Sequence, residues 1–326
     1  MKKRLLFLGA SAVLALTGCR NANIKVNPDQ EKYVVGTAQF APHVALDAAT
    51  AGFKAKLTEL LTAKGRQVEF VDTNASGEIS NCPTIINSLV SKDVDLIMAN
   101  ATPCVSAAYQ ATSTIPILGT SVTEYGVACE IKLKDGKTKT NVSGTSDLAP
   151  LDAQVDLMTK LNPNARKFGI LYSSSEANSK YQVKEVKKFL KAKGADYKVT
   201  EYAISGSETL SAICDSAKAK EDVIYIPTDN FCADNADTIG LKLEGKPVFA
   251  GEEGICKKCG FATLSIDYFA LGEITGEMAY NVLLGEKDIR EYPIQYYQNP
   301  KKEYVKARCE ALGINIPEDE GFIELI

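Results

Sequence analysis

The chain of 326 residues contains no tryptophan and one histidine, His43. The first absence leaves phenylalanine and tyrosine, 11 and 14 residues, as the side chains able to stack on a flat ligand. The second leaves no cluster of imidazoles for a metal. No G-x-S-x-G elbow surrounds Ser173, Ser174 or Ser175, and such an elbow is what exposes the nucleophile in sheet-based hydrolases. His43 falls in the opposite half of the chain, so a Ser–His pair would span two halves and be poorly preorganised. Also missing is a surplus of positive charge. Lysine and arginine number 37 against 41 acidic residues, net −4, with both signs interspersed. No basic stripe with interleaved aromatics appears, which argues against nucleic acid as a partner. Beyond Leu16 no apolar run is long enough to span a bilayer.

The N-terminus is different. Lys2, Lys3 and Arg4 precede an apolar run from Leu5 to Leu16, the layout of a secretory signal over residues 1–18. The run ends in Leu16-Thr17-Gly18-Cys19, which resembles the bacterial lipoprotein cleavage box. That resemblance implies a diacylglyceryl group on Cys19, and two acyl chains suffice to hold a protein at a membrane. Residues 19–32 then read as a polar tether on the extracytoplasmic face of the cell membrane. Eight further cysteines follow: Cys82, Cys104, Cys129, Cys214, Cys232, Cys256, Cys259 and Cys309. An even number outside the cytosol permits disulfides without specifying their pairing. Cys256-Lys-Lys-Cys259 is the only close pair, and one C-x-x-C without a second is weak evidence for a metal. No cofactor is expected.

The remaining chain repeats itself. "YVVGTAQF" (Tyr33 to Phe40) leads into a helical pattern with Leu46, Ala49, Phe53, Leu57 and Leu60 on one face and Gly65 as its stop. "KFGILYSS" (Lys167 to Ser174) leads into another, with Val183, Val186 and Leu190 and the stop Gly194. "VDLIMANATPC" answers "EDVIYIPTDNF", and the proline-opened "IPILGTSV" answers "KPVFAGEEG". Strand–helix alternation on this scale predicts parallel sheets covered on both faces. The fold class is therefore α/β, with two Rossmann-like lobes: lobe one at 33–144, lobe two at 145–265, and a tail at 266–326 shared between them. "NVSGTSDLAP" (Asn141 to Pro150) is the expected connection.

Ligands of open parallel sheets sit outside the carboxyl ends of the strands. These ends are polar throughout: Gln39 to His43, Asn100 to Thr102 and Gly119 to Ser121 in lobe one, and Ser173 to Asn178, Thr228 to Asn230 and Gly251 to Glu253 in lobe two. Ser174 or Ser175 is the expected cap of its helix, with Glu176 in the first turn. Thr102 is the expected cap before Pro103. Free N–H groups at such helix starts suit a carboxylate. Asp229, Glu252 and Glu253 offer negative charge to an ammonium. The two together fit a zwitterion.

The segments "QFAPHVALDAATAGFKAKL", "DLIMANATP", "GTSDLAP", "ILYSSSEANSKYQV", "YIPTDN" and "FAGEEG…ATLSIDYFALGEITGEMA" resemble the substrate-binding lipoproteins of a family of ABC importers. The family has the type I periplasmic-binding-protein fold and is associated with aromatic amino acids, tryptophan and phenylalanine above all. The resemblance implies a non-enzymatic receptor that closes on a solute and delivers it to an ABC permease and its ATPase. It assigns Gln39, His43, Thr102 and Ser121 to the lobe-one side of the site. Ser175, Glu176, Asn178, Asp229, Asn230 and Glu253 fall on the other. Candidate stacking residues are Phe40, Tyr125, Tyr172, Phe231 and Tyr268. Cys104, Cys256 and Cys259 stand where small or apolar residues are expected. The competing readings are a sugar or nucleoside receptor of the same fold, and a surface-anchored enzyme.

Overall fold

Each half of the repeat folds around its own parallel sheet in the computed structural model, which describes residues 23–194 and 196–326. The expected signal peptide and Cys19 lie outside the described residues. Lobe one carries strands β1 (Lys32–Gln39), β2 (Gln67–Asn74), β3 (Leu96–Asn100), β4 (Ile117–Val122) and β5 (Val142–Ser146). Its helices are α1 (Val44–Ala63), α2 (Cys82–Ser91), α3 (Thr102–Ala111) and α4 (Tyr125–Ala128). Lobe two carries β6 (Lys167–Ser173), β7 (Lys198–Ile204), β8 (Val223–Ile226), β9 (Val248–Ala250) and β10 (Ala262–Ser265). Around it lie α5 (Leu151–Leu161), α6 (Ala177–Lys193), α7 (Ser207–Lys220), α8 (Asn230–Asp234), α9 (Ala236–Lys242) and α10 (Glu253–Cys259). The tail adds α11 (Tyr268–Leu283), β11 (Gln295–Tyr296), β12 (Lys301–Tyr304), α12 (Lys306–Leu312) and β13 (Ile323–Glu324).

Both sheets have the same strand order. In lobe one it runs β2-β1-β3-β4-β5 and in lobe two β7-β6-β8-β9-β10, all parallel. The inner strands β3, β4, β8 and β9 are buried along their whole length, as strands covered on both faces must be. Register then levels their polar ends: Gln39 pairs with Asn100, and Asn100 with Thr120. The order reverses between β1 and β3, and again between β6 and β8, so each sheet has a switch point. These two switch points meet across the cleft.

The run 141–150, read from sequence as a connection, contains β5, the fifth strand of sheet one. Its Ser143, Thr145 and Ser146 are buried, and so polar a strand has no hydrophobic signature to announce it. Only 147–150 then leads from sheet one into lobe two. The chain returns through α11, which packs on α1, and β11, which extends sheet one beside β5. It crosses again to β12, antiparallel to β10. Ala149, Ile266, Tyr268 and Leu271 pack with Ala45 and Ala49 of α1 in a small cluster at these crossings. Before β1, the backbone N–H of Lys25 bonds Thr114 O, and the Gln30 amide bonds Asp95. The proposed tether is thus tied to lobe one from Lys25 onward.

The α1–α11 contact is close enough that side chains are excluded from it. A Cβ on Gly272 would lie 2.1 Å from Ala49 O, and one on Gly52 would lie 2.1 Å from Phe269 O. Gly272→Ala is expected to lower stability by at least about 1–3 kcal/mol, the usual cost of overpacking. Gly194→Ala, with nothing within 4 Å of the added Cβ, should shift the midpoint by less than about 0.5 kcal/mol. Urea denaturation of both variants checks this, and equal midpoints would contradict the close packing.

Candidate functional site

The strand ends that the sequence marks as polar converge between the lobes, where they meet directly. His43, which precedes α1, has Nε2 3.3 Å from Asn230 Oδ1, at the start of α8. Two cavities lie along this seam. The smaller, about 10 Å³, is enclosed by His43, Leu46, Asp147, Thr228, Asp229, Asn230, Glu252 and Tyr268, among others. It has room for about one water-sized group. The larger, about 620 Å³, is lined by Pro83, Thr102, Pro103, Ala107 and Val127 from lobe one and by Ser175 and Glu176 from lobe two. The Asn230 amide donates to Glu176 Oε2 at 2.6 Å, so the two spaces adjoin at that bond.

Four carboxylates are buried here: Asp147, Glu176, Asp229 and Glu252. Each is held in place by neutral donors. Asp229 caps α8, accepting from Cys232 N at 2.8 Å, and also accepts from Ser173 N at 2.7 Å. Glu252 caps α10 through Gly254 N and Ile255 N. Glu176 accepts from Asn178, Asn230 and Phe231. Asp147 accepts from Thr123 Oγ1 and from the Tyr268 hydroxyl. None of the four takes part in an ion pair with lysine or arginine among the described residues. Burial without a cation favours the neutral acid. It raises Asp147 to about 6 and Glu252 to about 7. Glu176 and Asp229 are raised as well, chiefly by desolvation. Desolvation lowers His43, so its imidazole is held toward the neutral form.

Opposite this acidic side lie hydroxyls that lack partners. Thr102 Oγ1 and Ser121 Oγ are both buried and make no hydrogen bond. Their neighbourhood is strained: Ala101 has φ 83° and Ser121 φ 54°, left-handed values that cost non-glycine residues of order 1–3 kcal/mol. Ala101 immediately follows β3, and Ser121 is the penultimate residue of the adjacent β4. Asn178 Oδ1 is likewise buried without a partner.

The ten residues singled out from sequence therefore divide. His43, Asp229 and Asn230 line the smaller cavity, and Thr102, Ser175 and Glu176 the larger. Gln39 is occupied within lobe one, bonding Ala41 O, Asp47 and Thr50. Ser121 and Asn178 are buried at strand and helix ends nearby. Glu253 lines neither cavity and pairs with Lys257 at 2.8 Å. Asp147 escaped sequence reasoning because it lies in the polar run taken as a connection. Two capping expectations shift. Thr102 is the first residue of α3, not its cap. The cap of α6 is Glu176, while Ser173 and Ser175 bond each other and Ser174 bonds Ile204 O. The eight cysteines are buried and form no disulfide.

A raised folded value has a definite sign in stability. Between the ordinary 4.5 of Glu252 and its folded value of about 7, the folded state binds the proton more tightly. The contribution is fully present below the lower value and is lost as pH rises through the upper one. His43 gives the opposite slope, but it is common to wild type and Glu252→Gln, so their difference isolates Glu252. Wild type, ligand-free, is expected to lose thermal stability relative to Glu252→Gln between about pH 5 and pH 8, by of order 5 °C. Scanning calorimetry across that range checks this, and a difference that does not vary with pH would contradict it.

The chain is 35% identical over 300 residues to the Tyrosine-binding protein of Clostridioides difficile (strain R20291), covering 89% of this chain and 86% of that one. It is similar to a Streptococcus pneumonia ABC domain in complex with L-Trp, with TM-score 0.84 and 30% identity over 90% of this chain and 100% of that one. The ligand-free, open structure of CD0873, a substrate-binding protein with adhesive properties from Clostridium difficile, gives TM-score 0.68 at 31% identity, over 90% of this chain and 99% of that one. At nearly equal identity the chain superposes better on the L-Trp complex than on the open form, in keeping with lobes that touch. Both sheets and their order are those of the type I periplasmic-binding-protein fold. Residues 34–320 match the family model for ABC transporter substrate-binding proteins, and the chain belongs to that family.

Proposed function

We propose that the chain captures an aromatic α-amino acid, tyrosine, tryptophan or phenylalanine, between its two lobes. Members of its family are extracytoplasmic solute-binding proteins that work with an ABC permease, and they are not an enzyme class. The reading of the ligand rests on one observation. Asp147, Asp229 and Glu252 surround a space of about 10 Å³ and have no cation, so an ammonium group of that size supplies the missing charge. The unpartnered hydroxyls of Thr102 and Ser121, beside the start of α3, suit the carboxylate. The larger cavity, with Pro83, Pro103, Ala107 and Val127 in its wall, suits the ring. The names of the similar proteins, one tyrosine-binding and one complexed with L-Trp, point the same way. A ligand that touches both lobes favours the closed arrangement by its differential affinity. The lipid on Cys19 belongs to the same reading and would keep the receptor beside its permease.

Titration calorimetry with L-tyrosine, L-tryptophan, L-phenylalanine, L-leucine and ribose tests the ligand class. Aromatic amino acids should bind, and 3-(4-hydroxyphenyl)propionate, which lacks the ammonium, should bind far more weakly than L-tyrosine. Removing one member of a buried charge pair costs about 3–5 kcal/mol. Glu252→Gln should therefore weaken binding by roughly two to three orders of magnitude. Ribose binding without amino-acid binding would establish the sugar reading instead.

The anchor is tested separately. Cells expressing the full chain and fed a labelled fatty acid should incorporate label, and Cys19→Ser should not. Equal labelling of the two proteins would contradict lipidation at Cys19.

A further inference from the structure

We propose that Cys82 and Cys104 are a redox-active pair whose oxidation to a disulfide ties α2 to α3 beside the cleft. Their Sγ atoms lie 4.0 Å apart and share a hydrogen bond. Both side chains are buried, at 1% and 0% exposure. Cys82 opens α2 and Cys104 sits in the first turn of α3, so two helix N-termini face each other through these sulfurs. Cys82 Sγ also lies 4.0 Å from Glu78 O, while Cys259 and Cys309 bond only carbonyl oxygens among the hydrogen bonds of their thiols, Ile255 O and Phe261 O.

The pair is asymmetric. The bond from Cys104 holds the Cys82 thiol below its ordinary range, and the same bond, with burial, holds Cys104 well above. Cys82 is also the first residue of α2, a helix start that favours a thiolate, and is assigned as the attacking thiol, with Cys104 resolving. The nearest open space is the larger cavity, whose wall includes Pro83 and Pro103, the neighbours of the two cysteines, but neither sulfur, so an oxidant must pass between these side chains to reach the thiols. Only an oxidant close to water in size can use that route, which selects a hydroperoxide such as hydrogen peroxide.

The chemistry balances in two steps. The Cys82 thiolate attacks one peroxide oxygen, the O–O bond breaks, and the departing hydroxide takes up a proton as water, leaving a sulfenic acid. Cys104 sulfur then attacks the sulfenic sulfur. The S–S bond forms, the S–O bond breaks, and the hydroxide leaves with the Cys104 proton as a second water. Two thiols and one peroxide give one disulfide and two waters. The sulfurs must close from 4.0 Å to about 2.05 Å. Side-chain rotation supplies much of this, and the rest draws the first turn of α3 toward α2. Thr102 lies in that turn, so oxidation repositions a cleft residue. The proposal holds whichever solute occupies the cleft.

Purified protein treated with hydrogen peroxide, alkylated and digested should yield a Cys82–Cys104 linked peptide. The cross-link should be reversed by dithiothreitol, and the oxidised protein should melt a few degrees higher. In Cys104→Ser, Cys82 loses its resolving partner and should accumulate as a sulfenic acid labelled by dimedone. Should that variant fail to fold, the wild-type peptide map decides alone. Persistent thiols at both positions, or Cys82 linked to a different cysteine, would overturn the proposal. Absence of dimedone label in a folded Cys104→Ser protein would overturn the assignment of Cys82 as the attacking thiol.

Discussion

Negative charge buried without a counterion is the constraint around which this protein is organised. Asp147, Asp229 and Glu252 enclose one small space, and Glu176 adjoins it through Asn230. Inside a folded protein an unpaired carboxylate is costly, and the groups respond by shifting toward the neutral acid. Backbone and side-chain donors offset part of that cost, and three of the acids stand at helix N-caps, Asp229 and Glu252 with their side chains accepting from the first turn. None of those donors carries a full charge. Under the proposed function an ammonium supplies the charge that these donors do not.

The duplicated fold explains how such a site can exist. Each sheet presents polar strand ends at its switch point, and joining two copies sets those ends against each other. The apolar cores stay within the lobes, on the two faces of each sheet. Between them lies a seam closed by few contacts, among them His43 to Asn230. The crossings carry residues that serve both purposes. Asp147 ends the first crossing's approach and lines the small cavity, and Tyr268, at the second crossing, bonds it at 3.3 Å. A ligand charge placed there would contact residues of both crossings.

Much of the fold was legible because it repeats. The apolar strands and the helical faces of Leu46, Phe53 and Leu57, or Val183, Val186 and Leu190, carry their periods in the sequence and are buried as those periods require. β5 was not legible, since Val-Ser-Gly-Thr-Ser buries hydroxyls in place of hydrocarbon, and Asp147 was lost with it. Strand-end logic found the neighbourhood of the site but could not say which way a side chain turns. Glu252 and Glu253 are adjacent in sequence, yet the first caps a helix inside the cleft and the second pairs with Lys257 outside. Likewise Gln39 stands at a strand end but spends its hydrogen bonds within its own lobe. Such differences follow from backbone direction, which a lone sequence does not encode locally.

The central claim is that the ligand's positive charge takes over the role that bound protons play in the empty site. It is tested most directly by calorimetric titration of L-tyrosine in two buffers of different ionisation enthalpy. With Asp147 near 6 and Glu252 near 7 in the ligand-free protein, binding at about pH 6.5 must displace protons from these acids. The account predicts an apparent enthalpy that varies with buffer in the sense of proton release, with the release diminishing at about pH 8.5. Binding with no buffer dependence at the lower pH, or with proton uptake, would contradict it.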